Sequence, residues 1–348
     1  MTDADLGGAG RQALACPQCG TQIAPALLAC PSCHRLVHSD ALKHLAAEAE
    51  RSAQAGDTSA ALAAWRQALE LLPPDSTQHT VVSARILDLS RALDSQPAAT
   101  KQGSPWGKGA AGVGALGALL VKFKFVLLFV LTKAKLLLLG LTKGGTLISM
   151  LLSAGVYWTI WGWKFAFGLV LSIYIHEMGH VQALQRYGIK ATAPMFIPGF
   201  GAVIRLKQYP ADAREDARVG LAGPLWGLGA ALAAYAVYRA TSIGVWGAIA
   251  RMGALVNLFN LVPVWQLDGA RGFRALTRLE RWIAVAVIAA MWLVTSEGLL
   301  VLLGLAAVAT AAFGREAEEP DHTALLQYVF LVGVLSLMTR IAVPATGP

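Results

Sequence analysis

Residues 163–185 read WKFAFGLVLSIYIHEMGHVQALQ, an apolar run with His176, Glu177 and His180 near its end. The two histidines lie four positions apart, so in a helix they project from one face and can share one metal ion. Ionisable side chains deep in a bilayer segment are costly unless a partner or a cavity receives them. We therefore expect a membrane helix that carries part of a zinc site. The alternative, a structural polar cluster, needs a partner that the neighbouring sequence does not offer.

Glu177 directly follows the first histidine of this pattern. Beside a zinc ion, its carboxylate can take a proton from a water molecule whose pKa the metal has lowered. The five-residue pattern alone is a limited signal, but its position inside an apolar run strengthens it. The run therefore predicts hydrolysis of peptide bonds.

A second segment, residues 260–269, reads NLVPVWQLDG and offers a further ligand. Pro263 should end the preceding helix, because proline lacks the backbone N–H that a helix needs. Gly269 permits a sharp backbone turn. We therefore expect Asp268 to line the same cavity as the two histidines.

The two segments together resemble the site-2 protease family, whose members pair an intramembrane H-E-x-x-H helix with a distant N-x-x-P-x-x-x-L-D-G segment. The resemblance extends over about residues 149–281. It implies an enzyme, a zinc metalloendopeptidase of peptidase family M50, with one catalytic zinc ion and an open fourth position for water. By that resemblance the zinc ligands are His176, His180 and Asp268, and the catalytic base is Glu177.

The same resemblance gives Asn260 a catalytic role, in which its amide orients the substrate or steadies the developing oxyanion. Asn257 lies three residues earlier on the same helical face and is a second candidate for contact with the substrate. An interhelical hydrogen bond would explain either amide equally well.

Residues 193–205, APMFIPGFGAVIR, are interrupted by proline and glycine and rich in strand formers. They predict a short re-entrant β-hairpin buried in the protein, similar to the hairpin of the family. An exposed strand edge beside the zinc could pair with an unwound substrate, which makes Phe196, Gly199 and Gly201 candidate substrate-binding residues. A plain connector is the alternative.

The composition fits this interpretation, because 55% of the 348 residues are hydrophobic and the mean hydropathy is +0.53. Such a chain is too apolar for an ordinary soluble enzyme. The fold class predicted is mainly α, a polytopic helical membrane protein with the hairpin, preceded by a small zinc ribbon and a helical hairpin. Candidate spans lie at about residues 146–161, 163–185, 219–240, 243–262, 282–295, 299–313 and 325–341.

The formal net charge of +8 could favour nucleic acid, but the basic residues collect in short loops between apolar runs. That distribution is typical of loops on the cytosolic side of a membrane, so we expect no nucleic-acid partner. No N-terminal signal peptide is visible before the first apolar run. The chain is therefore expected in the cell membrane as a multi-pass protein in contact with the lipid bilayer, with a cytosolic N-terminal head.

Four cysteines in the head, all the cysteines of the chain, form two C-x-x-C pairs joined by ten residues. That spacing favours a structural zinc ion in a ribbon-like segment, residues 1–40, with Cys16, Cys19, Cys30 and Cys33 as ligands. Two disulfides are the alternative, which the expected cytosolic location disfavours. His34 and His38 are treated as bystanders.

Residues 41–93 are expected to form helices with a turn near Gly56. Their small and bulky residues match the spacing of a tetratricopeptide unit, or of a plain helical hairpin, and either would dock a protein partner. Residues 94–114 predict a flexible linker, and residues 115–348 the transmembrane metalloprotease domain. The lysine-containing near-repeat of about residues 121–142 suits either an interfacial helix or a short span.

The function predicted is regulated intramembrane proteolysis of membrane-spanning protein substrates. One alternative is a catalytically silent zinc-binding scaffold that recruits partners through the head, although zinc binding alone does not require Glu177. Another is a cation transporter, since intramembrane histidines and carboxylates can also form an ion pathway.

Overall fold

The computed structural model describes residues 14–95, 144–198, 201–204 and 206–343. The chain divides into two compact units, residues 1–97 and residues 98–348. Three sequence-based expectations lie wholly or almost wholly outside the described residues: the linker at 94–114, the lysine-containing segment at 121–142, and Gly199. The two units are described separately.

The N-terminal unit begins with a short antiparallel pair of strands, in which Ala15 pairs with Gln22. Three helices follow it, and Asp57 caps the second by accepting a hydrogen bond from the backbone N–H of Ala60. The predicted helical hairpin corresponds to the first two helices, and the structure adds a third beyond the Pro73-Pro74 turn. The elements are β1 (Leu14–Ala15), β2 (Gln22–Ile23), α1 (Ser39–Gln54), α2 (Thr58–Glu70) and α3 (Thr77–Ser95).

The second unit is a helical bundle with one small antiparallel sheet. Its helices are α4 (Gly144–Trp161), α5 (Trp163–Arg186), α6 (Ala213–Thr241), α7 (Gly244–Asn260), α8 (Asp268–Arg274), α9 (Arg278–Thr295), α10 (Gly298–Phe313) and α11 (His322–Met338). Strands β3 (Met195–Ile197) and β4 (Gly201–Val203) pair between α5 and α6, with Phe196 opposite Ala202. The mainly helical fold is confirmed, and each of the seven candidate spans falls on a helix.

Crossing a membrane is a stricter requirement than forming a helix. Among the described residues, α6 is the one helix both long and apolar enough to cross, judged by length and composition, and α10 and α11 are shorter apolar helices. The crossings by the other helices stay predictions. Many large apolar side chains nevertheless face outward from the bundle, such as Leu152 on α4 and Leu305 on α10.

Helix α6 lies at the centre of the bundle, where it packs against α5, α7, α8 and α11. The larger apolar core lies among α6, α7, α9, α10 and α11, and a smaller one joins α4, α5 and the hairpin. Helix α4 makes its main contacts with α5 and β3. Hydrogen bonds fasten it to the hairpin, from Thr146 Oγ1 to the carbonyl of Pro194 (2.7 Å) and from the Phe196 N–H to Ser149 Oγ (3.1 Å).

Ion pairs join the polar ends of several helices through the loop at residues 314–321. The start of α6 holds this loop twice, by Arg214 with Glu319 (2.7 Å) and by Arg218 with Asp321 (2.8 Å). At the start of α9, the buried guanidinium of Arg281 donates to carbonyl oxygens of Phe273, Thr310 and Arg315. Arg281 therefore braces three segments, a role that a count of loop charges could not reveal.

Candidate metal centre and peptidase site

Two elements bring the predicted zinc ligands together: α5 carries both histidines, and Asp268 is the first residue of α8. The Nε2 atoms of His176 and His180 lie 3.2 Å apart. Asp268 places Oδ2 at 3.1 Å from Nε2 of His176 and Oδ1 at 3.2 Å from Nε2 of His180. Three donor atoms from residues up to 92 positions apart thus converge on one point.

The far side of each imidazole is occupied by a hydrogen-bond acceptor. Nδ1 of His176 lies 2.7 Å from Oδ1 of Asn257, and Nδ1 of His180 lies 2.8 Å from the carbonyl oxygen of Val219. The Asn257 amide is oriented by its own N–H₂ group, which donates to the carbonyl of Gly253 (2.7 Å). These acceptors favour the tautomer with the proton on Nδ1, which leaves Nε2 of each histidine to bind a metal ion at the centre.

This arrangement fits a zinc ion. With both protons on Nδ1, two nitrogen lone pairs and a carboxylate would face one another at close range and repel unless a cation lay between them. Ligand atoms at about 2.0–2.2 Å from a tetrahedral zinc ion lie roughly 3.3–3.5 Å from each other, close to the separations observed here. Buried acceptors behind the ligands, such as Asn257 and the Val219 carbonyl, are also typical of zinc sites.

The backbone of α6 approaches these side chains so closely that only glycine fits. A Cβ atom on Gly223 would lie 2.7 Å from Nε2 of His176, and nearer still to His180. One turn later, a Cβ atom on Gly227 would collide with the side-chain amide of Asn257. Helix α6 therefore shapes the site by its close approach, without supplying a ligand from its side chains.

The turn that delivers Asp268 is held by its own backbone and by the C-terminal helices. Gly269 packs against the carbonyl of Leu261 so tightly that an added Cβ would overlap it. The buried hydroxyl of Tyr328, on α11, donates to that same carbonyl oxygen (2.7 Å). Thr310, on α10, donates to the carbonyl of Pro263 (3.2 Å). Sequence reasoning missed Tyr328 and Thr310, since nothing in their surroundings marks them.

A cavity of about 990 Å³ opens beside the three donors. Glu177, which is buried, and Asn260 both border it. Nδ2 of Asn260 lies 3.5 Å from Nε2 of His176, next to the point where the donors meet. The structure thus brings the predicted base and the predicted amide to the same cavity as the predicted ligands.

Two of the four predicted substrate-binding residues have other contacts. Phe196 is buried, with its ring 6.4 Å from that of Tyr174, so its side chain is not free to meet a substrate. Asn257 is 2% exposed and holds His176, which makes it a positioning residue for the ligand. Gly201 adopts a positive φ of 89° at the start of β4, and its neighbour Ala202 borders the cavity.

The four cysteines of the N-terminal unit meet at a second candidate metal centre. Sγ of Cys16 lies 3.6 Å from that of Cys33, and Sγ of Cys19 lies 3.6 Å from that of Cys30. All four thiols are free, and their sulfur atoms lie within 4.8 Å of one another. Hydrogen bonds with the side chain and backbone of Thr21 lower the pKa of the Cys19 thiol to about 6. The cluster is suited to a structural zinc ion, which binds thiolates.

Comparison with known proteins agrees with this geometry. Residues 164–243, which cover most of α5 and all of α6, match the model of Peptidase family M50. Over these residues, the chain is similar to Peptidase family M50. The resemblance inferred from the two sequence motifs is therefore confirmed. The matched residues include both histidines and Glu177, whereas Asp268 lies beyond them and rests on the distances given above.

Two curated proteins are similar to the chain. A zinc metalloprotease of Methanocaldococcus jannaschii is 27% identical over 113 residues, which are 31% of this chain and 32% of that protein. A probable chloroplastic zinc metalloprotease of Arabidopsis thaliana is 27% identical over 141 residues, 28% of this chain and 25% of that protein. The similarity thus spans about a third and a quarter of these relatives. No solved structure shows a significant match.

Proposed function

We propose that the chain is an intramembrane zinc metalloendopeptidase of the site-2 protease type. The observation that carries this proposal is the convergence of His176, His180 and Asp268, with both imidazole Nδ1 atoms already engaged. The similarity to Peptidase family M50 and the two similar zinc metalloproteases support the same chemistry. The substrates proposed are membrane-spanning proteins, whose peptide bonds are cut within or near the bilayer in regulated intramembrane proteolysis.

His176, His180 and Asp268 would hold the zinc ion, which supplies a Lewis acid that polarises a carbonyl and makes water acidic. Glu177 borders the cavity directly beside these ligands, where its carboxylate accepts the proton of the attacking water. The same group can then return that proton to the departing amine. Asn260 is placed to donate its amide N–H to the carbonyl oxygen as negative charge develops there.

The bilayer is the proposed environment of the second unit. Peptidase family M50 is membrane-embedded, and α6 is long and apolar enough to cross. We propose a multi-pass protein of the cell membrane whose basic polar end, with Arg214, Arg218 and Arg271, faces the cytosol. The N-terminal unit would then lie in the cytosol, where its zinc-stabilised fold and helices can dock a protein partner.

The hairpin offers a route for presenting the substrate. Strand β3 is fastened on its outer side to α4, whereas Ala202 and Ile204, in and just after β4, border the cavity. An extended peptide could add to β4 as a further strand, since backbone hydrogen bonds drive such pairing. A transmembrane helix must be unwound before its peptide bonds reach a catalytic group, and the strand would replace the hydrogen bonds it loses.

Cleavage of single-span model substrates by the purified protein in detergent tests the proposal. The Glu177→Gln variant should bind catalytic zinc like the wild type but lose at least about 100-fold in rate, because the proton acceptor is gone. Glu318→Gln, which makes the same chemical change on an exposed loop, is the matched control and should cleave normally. A chelator should abolish cleavage, and zinc should restore it.

The alternatives give different results in the same preparation. A chain that binds zinc at the site but cleaves none of the substrates would favour the scaffold. Metal-dependent cation flux in vesicles without proteolysis would favour the transporter. Full activity of Glu177→Gln would refute the catalytic mechanism proposed here.

A further inference from the structure

Arg271 lies on α8, three residues after the ligand Asp268, and borders the catalytic cavity. Its stem packs against α6 at Gly220, where an added Cβ atom would lie 2.6 Å from Cβ of Arg271. Gly220 precedes Gly223, the glycine opposite the two histidines, by three helical positions. At a rise of about 1.5 Å per residue, the arginine is offset by about 4.5 Å along α6 from the imidazoles.

The guanidinium of Arg271 is fixed in place on one side only. Its Nε–H donates to Oδ1 of Asp216 (2.7 Å), and Arg274 donates to the other oxygen of that carboxylate (2.7 Å). Nη2 of Arg271 is buried but finds no hydrogen-bond partner among the residues that the structure describes. A buried donor without an acceptor is costly, and the side chain of Arg271 borders the cavity and is 16% exposed, so a small rotation would bring Nη2 to an acceptor bound there.

The charges around the cavity indicate what kind of acceptor fits. Four carboxylates border it, those of Glu177, Asp212, Asp216 and Asp268, whereas the two guanidinium groups that border it, those of Arg271 and Arg274, share Asp216. An incoming anion such as a phosphate or an acidic side chain would meet this negative charge, whereas a neutral carbonyl oxygen would not. An unwound peptide carries one such oxygen per residue, each in need of a donor.

We propose that Arg271 is a substrate-binding residue whose Nη2 donates to one main-chain carbonyl oxygen of the peptide substrate. The inference rests on the proposed peptidase function and deepens it. Because the Cβ atom of Arg271 is offset by about 4.5 Å and an extended chain advances about 3.3 Å per residue, we place this carbonyl within about three residues of the scissile bond. Asp216 orients the arginine through its Nε.

The test compares variants that differ in one hydrogen bond. Arg271→Gln removes the free donor, and Arg271→Lys keeps the charge but not the planar fork. Arg274→Gln is the matched control: it removes the other partner of Asp216, from a side chain that borders the cavity but is 51% exposed. For each variant the zinc content, KM and kcat are measured on a synthetic peptide substrate, together with peptide binding in the Glu177→Gln background.

We expect Arg271→Gln to raise KM and weaken peptide binding about tenfold, with zinc content unchanged and kcat within about threefold of the wild type. The KM and peptide affinity of Arg271→Lys should fall between those of the wild type and Arg271→Gln. Those of Arg274→Gln should stay within about twofold of the wild type. Single thioamide substitutions in the peptide weaken one carbonyl acceptor at a time. At one position near the cut, the substitution should weaken binding to the wild type but not to Arg271→Gln.

Each failure has its own signature. If hydrolysis occurs but Arg271→Gln binds and cleaves like Arg274→Gln, the inference is wrong while the peptidase function stands. Loss of zinc from both Arg271→Gln and Arg271→Lys would show that Arg271 supports α8 and does not bind the substrate, which would also overturn the inference. If the wild type hydrolyses nothing yet peptide binding still depends on Arg271, the proposed function fails and the binding site remains.

Discussion

Replacing Gly223 by alanine tests whether the backbone of α6 sets the position of the zinc ligands. The added Cβ would lie 2.7 Å from Nε2 of His176, whereas ordinary van der Waals contact begins at 3.4 Å. The imidazole must therefore retreat by about 0.7 Å, and His180, which is nearer, by more. Zinc sites accept deviations of only about 0.2 Å in ligand distance, so the three donors can no longer meet at one ion.

The magnitude follows from the cost of overpacking a tight contact, about 1–3 kcal/mol. If that cost falls on the metal-bound state, zinc affinity drops by roughly 10- to 100-fold, and cleavage falls with it at limiting zinc. The backbone itself should remain helical, because alanine favours a helix by about 0.5–1 kcal/mol over glycine.

The assay is competition for zinc against a chelator of known affinity, with helix content followed by circular dichroism. Gly229→Ala provides the control, since it makes the same substitution on the same helix at a position with nothing within 4 Å of the new atom. It should leave zinc affinity and activity unchanged. If Gly223→Ala bound zinc as tightly as Gly229→Ala, the close approach of α6 to the imidazoles would be refuted.

Two further variants test contacts outside the peptidase motifs. Tyr328→Phe leaves the buried carbonyl of Leu261 without its donor, at a cost of about 1–3 kcal/mol. We therefore expect weaker zinc binding and slower cleavage. Wild-type values for both would show that α11 does not hold the Asp268 turn. Cys16→Ser combined with Cys30→Ser should lower the zinc content from two ions per chain to one, with peptidase activity in detergent retained. Elemental analysis checks the second expectation, and an unchanged zinc content would argue against a ribbon.

The sequence was most informative where chemistry requires a fixed spacing. His176 and His180 had to share a face because they lie four positions apart on a helix. The segment from Pro263 to Gly269 predicted a turn that places Asp268 at the cavity. The structure brings all three together. The hairpin was also visible, as strand formers between glycine and proline.

What could not be predicted depends on contacts between distant segments. Asn257 was noticed as a polar residue in an apolar helix, but its partner His176, 81 residues away, could not be read from the pattern. Tyr328 looks like any aromatic residue of an apolar helix until its hydroxyl is seen to reach Leu261. Phe196 was assigned to the substrate because its segment borders the site, although its side chain turns into the core.

The ion pairs and the Arg281 hydrogen bonds at the polar end hold one side of the bundle more firmly than the other. Through the loop at residues 314–321, the beginnings of α6, α9 and α11 are cross-braced by ion pairs and by Arg281. Helix α4, by contrast, is attached mainly through α5 and β3. Elements that are held by fewer contacts separate more easily than elements that are cross-linked. If the bundle widens to admit a polypeptide, as the proposed function requires, we expect the opening to begin between α4 with its hairpin and the rest of the bundle, beside the helix that carries the histidines.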